Sequence, residues 1–431
     1  MAWDFETDPD FQARLDWAAA FVKEEVEPLD HRLDSIYDVK NPENARLVRP
    51  LQAQVKEQGL WACHLGPELG GPGYGQVKLA LLNEILGRSH FAPVVFGCQA
   101  PDTGNAEILA HYGTAEQKAK YLKPLLDNEI VSCFSMTEPH GGADPLVFTC
   151  RAERDAGGWV INGEKWFSSN ARFADFLIVM AVTDPEAAPH RRMSMFIVPA
   201  DAPGIEIVRN VGHFGEKVPS HAYVRYTNVR IPADHLLGER GEGFAVAQTR
   251  LGGGRIHHAM RTIGQAQKAL DMMCERALSR FTAGERLSDK QMVQEKIADS
   301  WIELRQFRLL VLETAWRIDK LQDYRKVRKD IAAVKAAMPK VLHDIAARAL
   351  QIHGSIGVSD EMPFVSQVVS SFVMGLADGP TEVHKVTVAK QVLRDYAPTN
   401  ALFPAYDLIA ERERSMEKYP ELEEMAEAEL A

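Results

Sequence analysis

The sequence predicts a mainly α protein with a central β domain, and three observations support this prediction. Apolar residues recur at helical spacing before residue 130 and again after Gly243. Between these regions lie short runs rich in Val, Ile, Phe and Tyr. At about 150 residues per domain, 431 residues correspond to roughly three domains. We predict an N-terminal helical domain over 1–130, a β domain over 131–240, a helical bundle over 241–397 and a charged tail over 398–431.

The N-terminal segment is predicted to consist of amphipathic helices. The first runs from Phe11 through Leu15 and Val22 and stops near Pro28. Thr114 opens a later helix, with Gln117 placed to complete a capping box. Further helical patterns cover 45–58, 77–87 and 103–112, and a Gly/Pro-rich loop covers 66–75.

The central segment is predicted to form strands over 148–154, 159–162, 176–183, 193–198, 205–209 and 222–231. Turn signals such as Asp-Ala-Gly-Gly and Asn-Gly separate them, and no pattern of helical length intervenes. An antiparallel barrel or sandwich is therefore favoured over a parallel sheet.

The C-terminal segment returns to the helical period. One long amphipathic helix contains Ile297, Trp301, Leu304 and Val311, and an Ala-rich helix covers 328–353. Helices of this length favour a bundle. After a loop from Pro398, the Glu-rich stretch 411–431 is a frayed helix or a solvated tail, and we assign it no chemistry.

Charge and cysteine content narrow the function classes. The formal net charge is −11, which disfavours nucleic acid and anionic lipid as partners. Five widely spaced cysteines without a CxxC suggest neither a disulfide framework nor a zinc site, and we predict no metal. The acidic first residues do not resemble a signal peptide, and no apolar run is long enough to span a membrane. We expect a cytoplasmic protein.

Two segments of the β region carry groups that could bind a ligand. The stretch 134–144 enters a Gly-containing loop that could cradle a planar or anionic ligand, or form an ordinary domain-junction turn. The stretch 163–171 alternates aromatic and hydroxyl side chains, so each strand face would carry one aromatic residue and one serine. One face could support a flavin or a base ring; alternatively, Trp166 or Phe167 is core.

A third candidate lies at two helix ends in the C-terminal region. The segments 351–357 and 376–384 place glycines beside polar donors, which suits a pyrophosphate. Helix capping also explains much of this pattern, with a C-cap at Gly354 or Gly357, an N-cap at Asp378 and Pro380 in the first turn.

In this order, these segments resemble the acyl-CoA dehydrogenase family of flavoproteins. The match includes Met-Thr-Glu-Pro at 136–139, Asn-Gly-Glu-Lys-Trp-Phe-Ser-Ser-Asn at 162–170 and Leu-Leu-Gly-Glu-Arg-Gly-Glu-Gly-Phe at 236–244, and spans roughly residues 10–395. Arg-Ile-His-His-Ala-Met-Arg from Arg255 and Asp-Gly-Pro-Thr-Glu-Val-His from Asp378 look most like the subgroup of human family members 10 and 11.

The resemblance implies an N-terminal helical domain, a central β domain and a C-terminal four-helix bundle. It also implies dimers or tetramers that hold FAD at a subunit interface. The residues that match contacts with the flavin ring are Phe134, Met136, Thr137, Phe167 and Ser169. Those that would reach the FAD phosphates and adenosine from a partner subunit are Arg280, Gln291, Gln351, Gly354 and Ser355. The remaining cofactor contact matches Pro380, Thr381 and Glu382.

The family reaction removes the α-proton of an acyl-CoA while a hydride leaves the β-carbon for flavin N5, giving a trans-2-enoyl-CoA. The resemblance assigns the base to Asp378, where the commonest members have Glu, and implies an electron-transferring flavoprotein as acceptor. Gly254 occupies the family's other base position, so no rival carboxylate stands there. The positions that match substrate contacts are Ala143, Gly254, Arg255 and Gly379. Ala143 replaces a frequent Ser and Pro380 a frequent Thr.

A basic helical stretch follows the glycines 252–254. Arg255, His257, His258 and Arg261 could hold a CoA phosphate or a polar group on the acyl chain, or they could be solvated surface residues.

Two other functions remain open. Asp378 could instead serve elimination of phosphate from a 4-phosphoacyl-CoA in 4-hydroxy acid catabolism, for which we expect a separate kinase. A non-catalytic acyl-CoA or protein-binding scaffold is the third reading, and it predicts little bound FAD.

Overall fold

Helices occupy both ends of the described chain, as the sequence predicts. The structure is a computed structural model that describes residues 6–35, 37–213, 218–399 and 406–421. It has two compact units, Met1–Lys385 and Val386–Ala431. The four predicted domain ranges stay predictions. The helices before the sheet are α1 Pro9–Phe21, α2 Pro42–Glu57, α3 Gly75–Leu86, α4 Ala92–Val95, α5 Asp102–Tyr112, α6 Ala115–Gln117 and α7 Lys123–Leu126.

Local capping explains where several of these helices begin. Asp8 accepts a hydrogen bond from the Phe11 N–H at the start of α1. The predicted capping box is confirmed, because Thr114 and Gln117 exchange side-chain-to-backbone hydrogen bonds of 3.1 and 3.2 Å. After α1 the chain continues as a π-helical turn, Val22–Val26, and a 3₁₀ turn, Glu27–His31.

The central segment forms an eight-stranded mixed sheet in the order β6-β7-β3-β1-β4-β5-β8. Strand β2 also lies between β3 and β4, pairing with both. The predicted antiparallel arrangement is correct for most pairs but wrong for β4, whose pairings with β1 and β2 are parallel. The strands are β1 Ser132–Ser135, β2 Arg151–Asp155, β3 Gly158–Ser169, β4 Phe176–Val182, β5 Met193–Pro199, β6 Ile205–Val211, β7 His221–Pro232 and β8 Leu236–Leu237.

The sheet curls so that its two halves share a core. Trp159 on β3 meets Phe196 on β5 with ring centroids 5.1 Å apart, although β1 and β4 separate these strands in the sheet order. Both faces of β4 are buried, which explains its continuous apolar run. A closed barrel is not confirmed, because the pairing path of the described strands runs from β6 to β8 without joining its ends.

The start of β2 and the end of β3 differ most from the predicted strand bounds. Residues 148–150 are not in β2, because the Glu138 carboxylate accepts hydrogen bonds from the N–H groups of Thr149 and Cys150. Strand β3 continues beyond Asn162 to Ser169 and carries the second candidate segment.

The remaining helices are α8 Gly243–Ser279, α9 Gln291–Leu321, α10 Arg328–His353, α11 Phe364–Leu376, α12 Thr381–Leu393 and α13 Leu408–Lys418. Between α8 and α9, a short hairpin pairs β9 Phe281–Thr282 with β10 Glu285–Arg286. One apolar core joins α8–α11 to α1–α3. The Glu-rich stretch is partly helical, since α13 ends at Lys418, and residues 422–431 lie outside the described ranges. No helix in those ranges combines the length and apolarity needed to cross a bilayer.

Helices α3 and α8 approach each other through two glycines, and this contact predicts a stability effect. A Cβ at Gly264 would lie 2.0 Å from the Glu84 carbonyl oxygen, and one at Gly87 would lie 2.0 Å from that of Arg261. We expect Gly264→Ala to lower the free energy of unfolding by about 1–3 kcal/mol or more, because the helices must separate. Chemical denaturation followed by circular dichroism measures this change.

The matched control is Gly375→Ala within α11, where the nearest atom to the new Cβ would be 3.5 Å away. Alanine favours a helix over glycine, so this variant should be as stable as the parent or more so. Equal stability of the two variants would contradict the close-contact explanation.

Candidate active site

Asp378 lies in the loop between α11 and α12, in an unusual backbone conformation. Its φ is +55° and that of Gly379 is +102°, both in the left-handed region. A Cβ on Gly379 would also lie 2.9 Å from His384 Nε2, so a glycine suits both the angle and the space. Helix α12 begins at Thr381, whereas an N-cap residue has extended geometry directly before its helix. The interpretation of Asp378 as an N-cap is therefore wrong.

Side chains from α8 and α12 fix the Asp378 backbone and face its carboxylate. Arg255 Nε donates to the Asp378 carbonyl at 2.9 Å, and His384 Nε2 donates to the same oxygen at 3.2 Å. The carboxylate Oδ2 lies 3.8 Å from His258 Nε2. A Cβ at Gly254 would lie 3.2 Å from that Oδ2, so the glycine gives the carboxylate space beside α8. The structure thus brings together four predicted site residues, Gly254, Arg255, Asp378 and Gly379.

The charges around Asp378 favour its ionised form. Burial raises its pKa, but His258, when protonated at low pH, and the positive charges of Arg250, Arg255 and Lys335 outweigh burial and lower the pKa below its ordinary value. Burial lowers the pKa of His258 to about 4, so His258 is neutral at pH 7. The two arginines and Lys335 therefore keep the carboxylate ionised at neutral pH, although its side chain is only 19% exposed.

At Gly252 and Gly253, helix α8 packs closely against the half-buried Tyr324 ring and the buried Glu107 carboxyl group. A Cβ on Gly252 would be 3.1 Å from the Tyr324 ring, and one on Gly253 would be 2.7 Å from Glu107 Oε2. Burial raises the pKa of Glu107 to about 8, so this carboxyl group is mostly protonated at neutral pH. Sequence analysis did not single out Glu107, which lies within an apolar helical pattern of α5.

Arg250 lies against the β domain, and its charge acts on Asp378; sequence analysis missed it as well. Its guanidinium lies 3.8 Å from the centre of the Phe134 ring, and its Nε donates to Asn105 Oδ1 at 2.9 Å. Asp378 contributes the strongest attractive charge on this buried cation. A single side chain therefore lies against Phe134, which the resemblance assigns to the flavin, and acts through its charge on the candidate base.

The two segments assigned to the flavin ring are neighbours in the sheet. Phe134 pairs with Ser169, and the Trp166 N–H donates to the Thr137 carbonyl at 2.8 Å. A bulge between Lys165 and Ser168 gives Phe167 a φ of +51° and leaves its side chain 41% exposed. The predicted alternation of faces is wrong at this bulge, and Phe167 is not core. An exposed aromatic ring beside the half-buried Met136 and Thr137 fits a planar cofactor such as a flavin.

A buried ion pair anchors the loop that follows β1. Lys165 Nζ lies 2.9 Å from Glu138 Oε1 and also donates to the Met136 carbonyl at 2.7 Å. The two side chains are 0% and 3% exposed. Glu138 additionally accepts from Thr149 and Cys150, so the pair holds the Met136–Glu138 segment against β3.

The remaining residues that the resemblance assigns to cofactor or substrate fall into two groups. Pro380, Thr381 and Glu382 follow Asp378 in the chain, and the others lie in separate segments. Thr381 is half-buried and donates from Oγ1 to the Gly375 carbonyl at 3.3 Å. Pro380 beside it is half-buried, and Glu382 is exposed. Ala143 lies in an exposed loop after β1. The residues assigned to the FAD phosphates and adenosine are all exposed: Arg280, Gln291, Gln351, Gly354 and Ser355. Among the described residues, no hydrogen bond joins any of these five to Asp378.

The basic stretch of α8 is not solvated surface, so that alternative is wrong. His257 is 6% exposed, and its Nε2 is buried without a hydrogen-bond partner. Arg261 Nη1 donates to the Cys98 carbonyl at 3.1 Å. The side chains of His257 and Arg261 face the helical core, whereas His258 lies near the Asp378 carboxylate and Arg255 donates to the Asp378 carbonyl.

Three family models match nearly the whole chain. Residues 8–129 match the acyl-CoA dehydrogenase N-terminal domain, 133–229 the middle domain and 241–393 the C-terminal domain. A probable acyl-CoA dehydrogenase of Mycobacterium tuberculosis, FadE2, is 41% identical over 397 residues, or 90% of this chain and 93% of that protein.

A mouse relative supports the predicted subgroup. Acyl-CoA dehydrogenase family member 11 of Mus musculus is 40% identical over 389 residues, which is 88% of this chain but 49% of that protein. The chain therefore spans about half the length of this relative. Among solved structures, a putative acyl-CoA dehydrogenase from Mycobacterium abscessus superposes with a TM-score of 0.84 at 37% identity, covering 91% of this chain and all of that one (100%).

Proposed function

The chain belongs to the acyl-CoA dehydrogenase family, and we propose that it oxidises the α,β bond of an acyl-CoA to a trans-2-enoyl-CoA, with Asp378 as the base. The family depends on FAD. The observation that carries this proposal is the buried Arg250, whose guanidinium lies 3.8 Å from the centre of the Phe134 ring in the flavin segment and whose charge favours the ionised form of Asp378. A base and a cofactor surface that the fold brings near one buried cation can act on adjacent carbons of one substrate.

The protein's own residues would position the base and take up the α-proton. Asp378 accepts that proton on its carboxylate, while Arg255 and His384 hold its carbonyl and thereby fix the loop. The resemblance assigns the Asp378 N–H as a donor to the thioester oxygen, which gains negative charge as the proton leaves. Phe134, Met136, Thr137, Phe167 and Ser169 would hold the flavin. FAD, when bound, supplies the hydride acceptor that no side chain can provide.

Absorption spectroscopy tests the cofactor and the reaction together. We expect the purified protein to show a flavin band near 450 nm that bleaches anaerobically when a suitable acyl-CoA is added. Acyl-CoAs of several lengths would define the preferred chain. Absence of flavin after incubation with FAD would contradict the proposal and favour a binding scaffold.

Elimination of phosphate from a 4-phosphoacyl-CoA is the second candidate. It is favoured by the balance of charge at the site, where Arg250, Arg255 and Lys335 face one ionised carboxylate while Glu107 is mostly protonated. A net positive pocket suits an anionic substituent. The products separate the two reactions, since elimination releases phosphate without consuming an electron acceptor.

The remaining proposals concern partners and compartment. We propose an electron-transferring flavoprotein as acceptor, and a dimer or tetramer in which the exposed Arg280 and Gln351 segments reach the FAD of a partner subunit. The cytoplasm remains the proposed compartment because free thiols suit a reducing compartment, and the five cysteines are free. Size-exclusion chromatography with light scattering tests the oligomer.

A further inference from the structure

Helix α10 carries a lysine inside the protein. The Lys335 side chain is 0% exposed and lies on the same face as Ile331, Val334 and Met338, all within the apolar core. Burying an ammonium group is costly unless polar partners replace its hydration. The partners of Lys335 are therefore informative about what it does.

Both hydrogen-bond partners of Lys335 are backbone carbonyls that flank Asp378. Its Nζ donates to the carbonyl of Met374, in the last turn of α11, and lies 3.5 Å from the carbonyl of Gly379. Carbonyls in the last turn of a helix have no partner within the helix. One ammonium group thus joins the end of α11 to the residue after Asp378 and closes the loop from the α10 side.

We propose that Lys335 is a positioning residue for the base: it fixes the Asp378 loop and supplies positive charge that keeps the carboxylate ready to accept a proton. This inference rests on the proposed function, because it assigns Lys335 a role only through Asp378. Arg255 and His384 hold the Asp378 carbonyl, whereas Lys335 holds the next carbonyl along the chain.

The charged and titratable groups around the base come from three helices. Arg250, Arg255, His258 and Arg261 interact electrostatically with Asp378 from α8, His384 from α12 and Lys335 from α10. Burial lowers the pKa of His258 and of His384 to about 4, so both rings are neutral at pH 7. Burial also lowers the pKa of Lys335, to about 8, although Asp378 opposes this shift. Lys335 is therefore mostly charged at neutral pH and acts on Asp378 from α10.

Lys335→Met tests the proposal because it keeps an unbranched side chain that is one atom shorter and removes the charge and the hydrogen-bond donors. The FAD-loaded variant should keep its 450 nm band and its dissociation constant for acyl-CoA. Its limiting rate of flavin reduction should fall by on the order of 10²-fold, because the loop is no longer fixed. Loss of the cation raises the pKa of Asp378, so the acidic limb of the rate profile should move to higher pH by about one unit.

Two further variants separate this role from general damage to the fold. Lys340→Met removes an exposed lysine (74%) from the same helix and should leave rate and pH profile unchanged. Lys335→Arg keeps the charge, so its acidic limb should stay at the parental pH even if the rate falls. If Lys335→Met fails to fold, Lys335→Arg still tests the effect of the charge on the acidic limb.

The inference is overturned if the parent protein reduces its flavin with substrate and Lys335→Met does so at the same rate with the same acidic limb. It is also overturned if the acidic limb of the rate profile of Lys335→Arg moves to higher pH. If the parent protein binds FAD but no acyl-CoA reduces it, the proposed dehydrogenation fails and this inference fails with it.

Discussion

Asp378→Asn should retain FAD and lose substrate-driven flavin reduction, with a rate roughly 10²–10⁴-fold below the parent. Asparagine keeps the shape of the side chain, so the left-handed loop and the contacts of the Asp378 carbonyl with Arg255 and His384 can persist. A neutral amide cannot take up the α-proton. Anaerobic stopped-flow absorbance at 450 nm measures the effect, and reduction by dithionite shows that the bound flavin remains competent.

The control for this variant is Asp360→Asn, which neutralises an exposed acid in the turn between α10 and α11. It should reduce its flavin at the parental rate. Normal bleaching of Asp378→Asn by acyl-CoA would remove Asp378 from the mechanism.

A companion variant tests where the carboxylate must lie. A Cβ on Gly254 would be 3.2 Å from Asp378 Oδ2, so a longer acid at this position approaches the same point from α8. We expect Gly254→Glu in the Asp378→Asn background to recover part of the lost rate, whereas Gly254→Gln should recover none. Equal rates for the two double variants would show that a carboxylate at this point is insufficient.

The sequence alone predicted the elements that depend on local patterns. The bounds of α10 match the prediction because its Ala-rich helical period is uninterrupted. The capping box at Thr114 depends on two residues three positions apart, and it was confirmed. Parallel pairing of β1 with β4 could not be predicted, since their paired residues lie 44 positions apart and no turn connects them directly.

The sequence predicted only those residues of the candidate site that lie in a recognisable motif. Asp378 and Phe167 were found through the resemblance, whereas Arg250, Glu107 and Lys335 act through contacts that form only when α5, α8, α10 and α11 pack together. Lys335 did leave a signal, because a charged residue three positions before Met338 and four after Ile331 falls on an apolar helical face. Such a residue indicates a buried partner, although the sequence does not say which one.

The buried pair Glu138–Lys165 predicts the second large effect. Lys165→Met would leave the Glu138 carboxylate 3% exposed without its countercharge. We expect the free energy of unfolding to fall by about 3–5 kcal/mol, because an unpaired buried charge is not compensated. The Met136–Glu138 segment would also lose its anchor to β3, so the variant should retain little FAD. Chemical denaturation and the ratio of absorbance at 450 and 280 nm measure the two effects.

The double variant Glu138→Gln with Lys165→Met distinguishes an unpaired charge from simple loss of packing. Removing both charges should restore part of the lost stability, because the glutamine amide can still accept from the Thr149 or Cys150 N–H. Lys290→Met, which breaks a partly exposed pair with Glu285 of 2.7 Å, should change stability by less than about 1 kcal/mol. If the double variant is no more stable than Lys165→Met alone, the loss arises from packing around the lysine stem and the charge explanation is wrong.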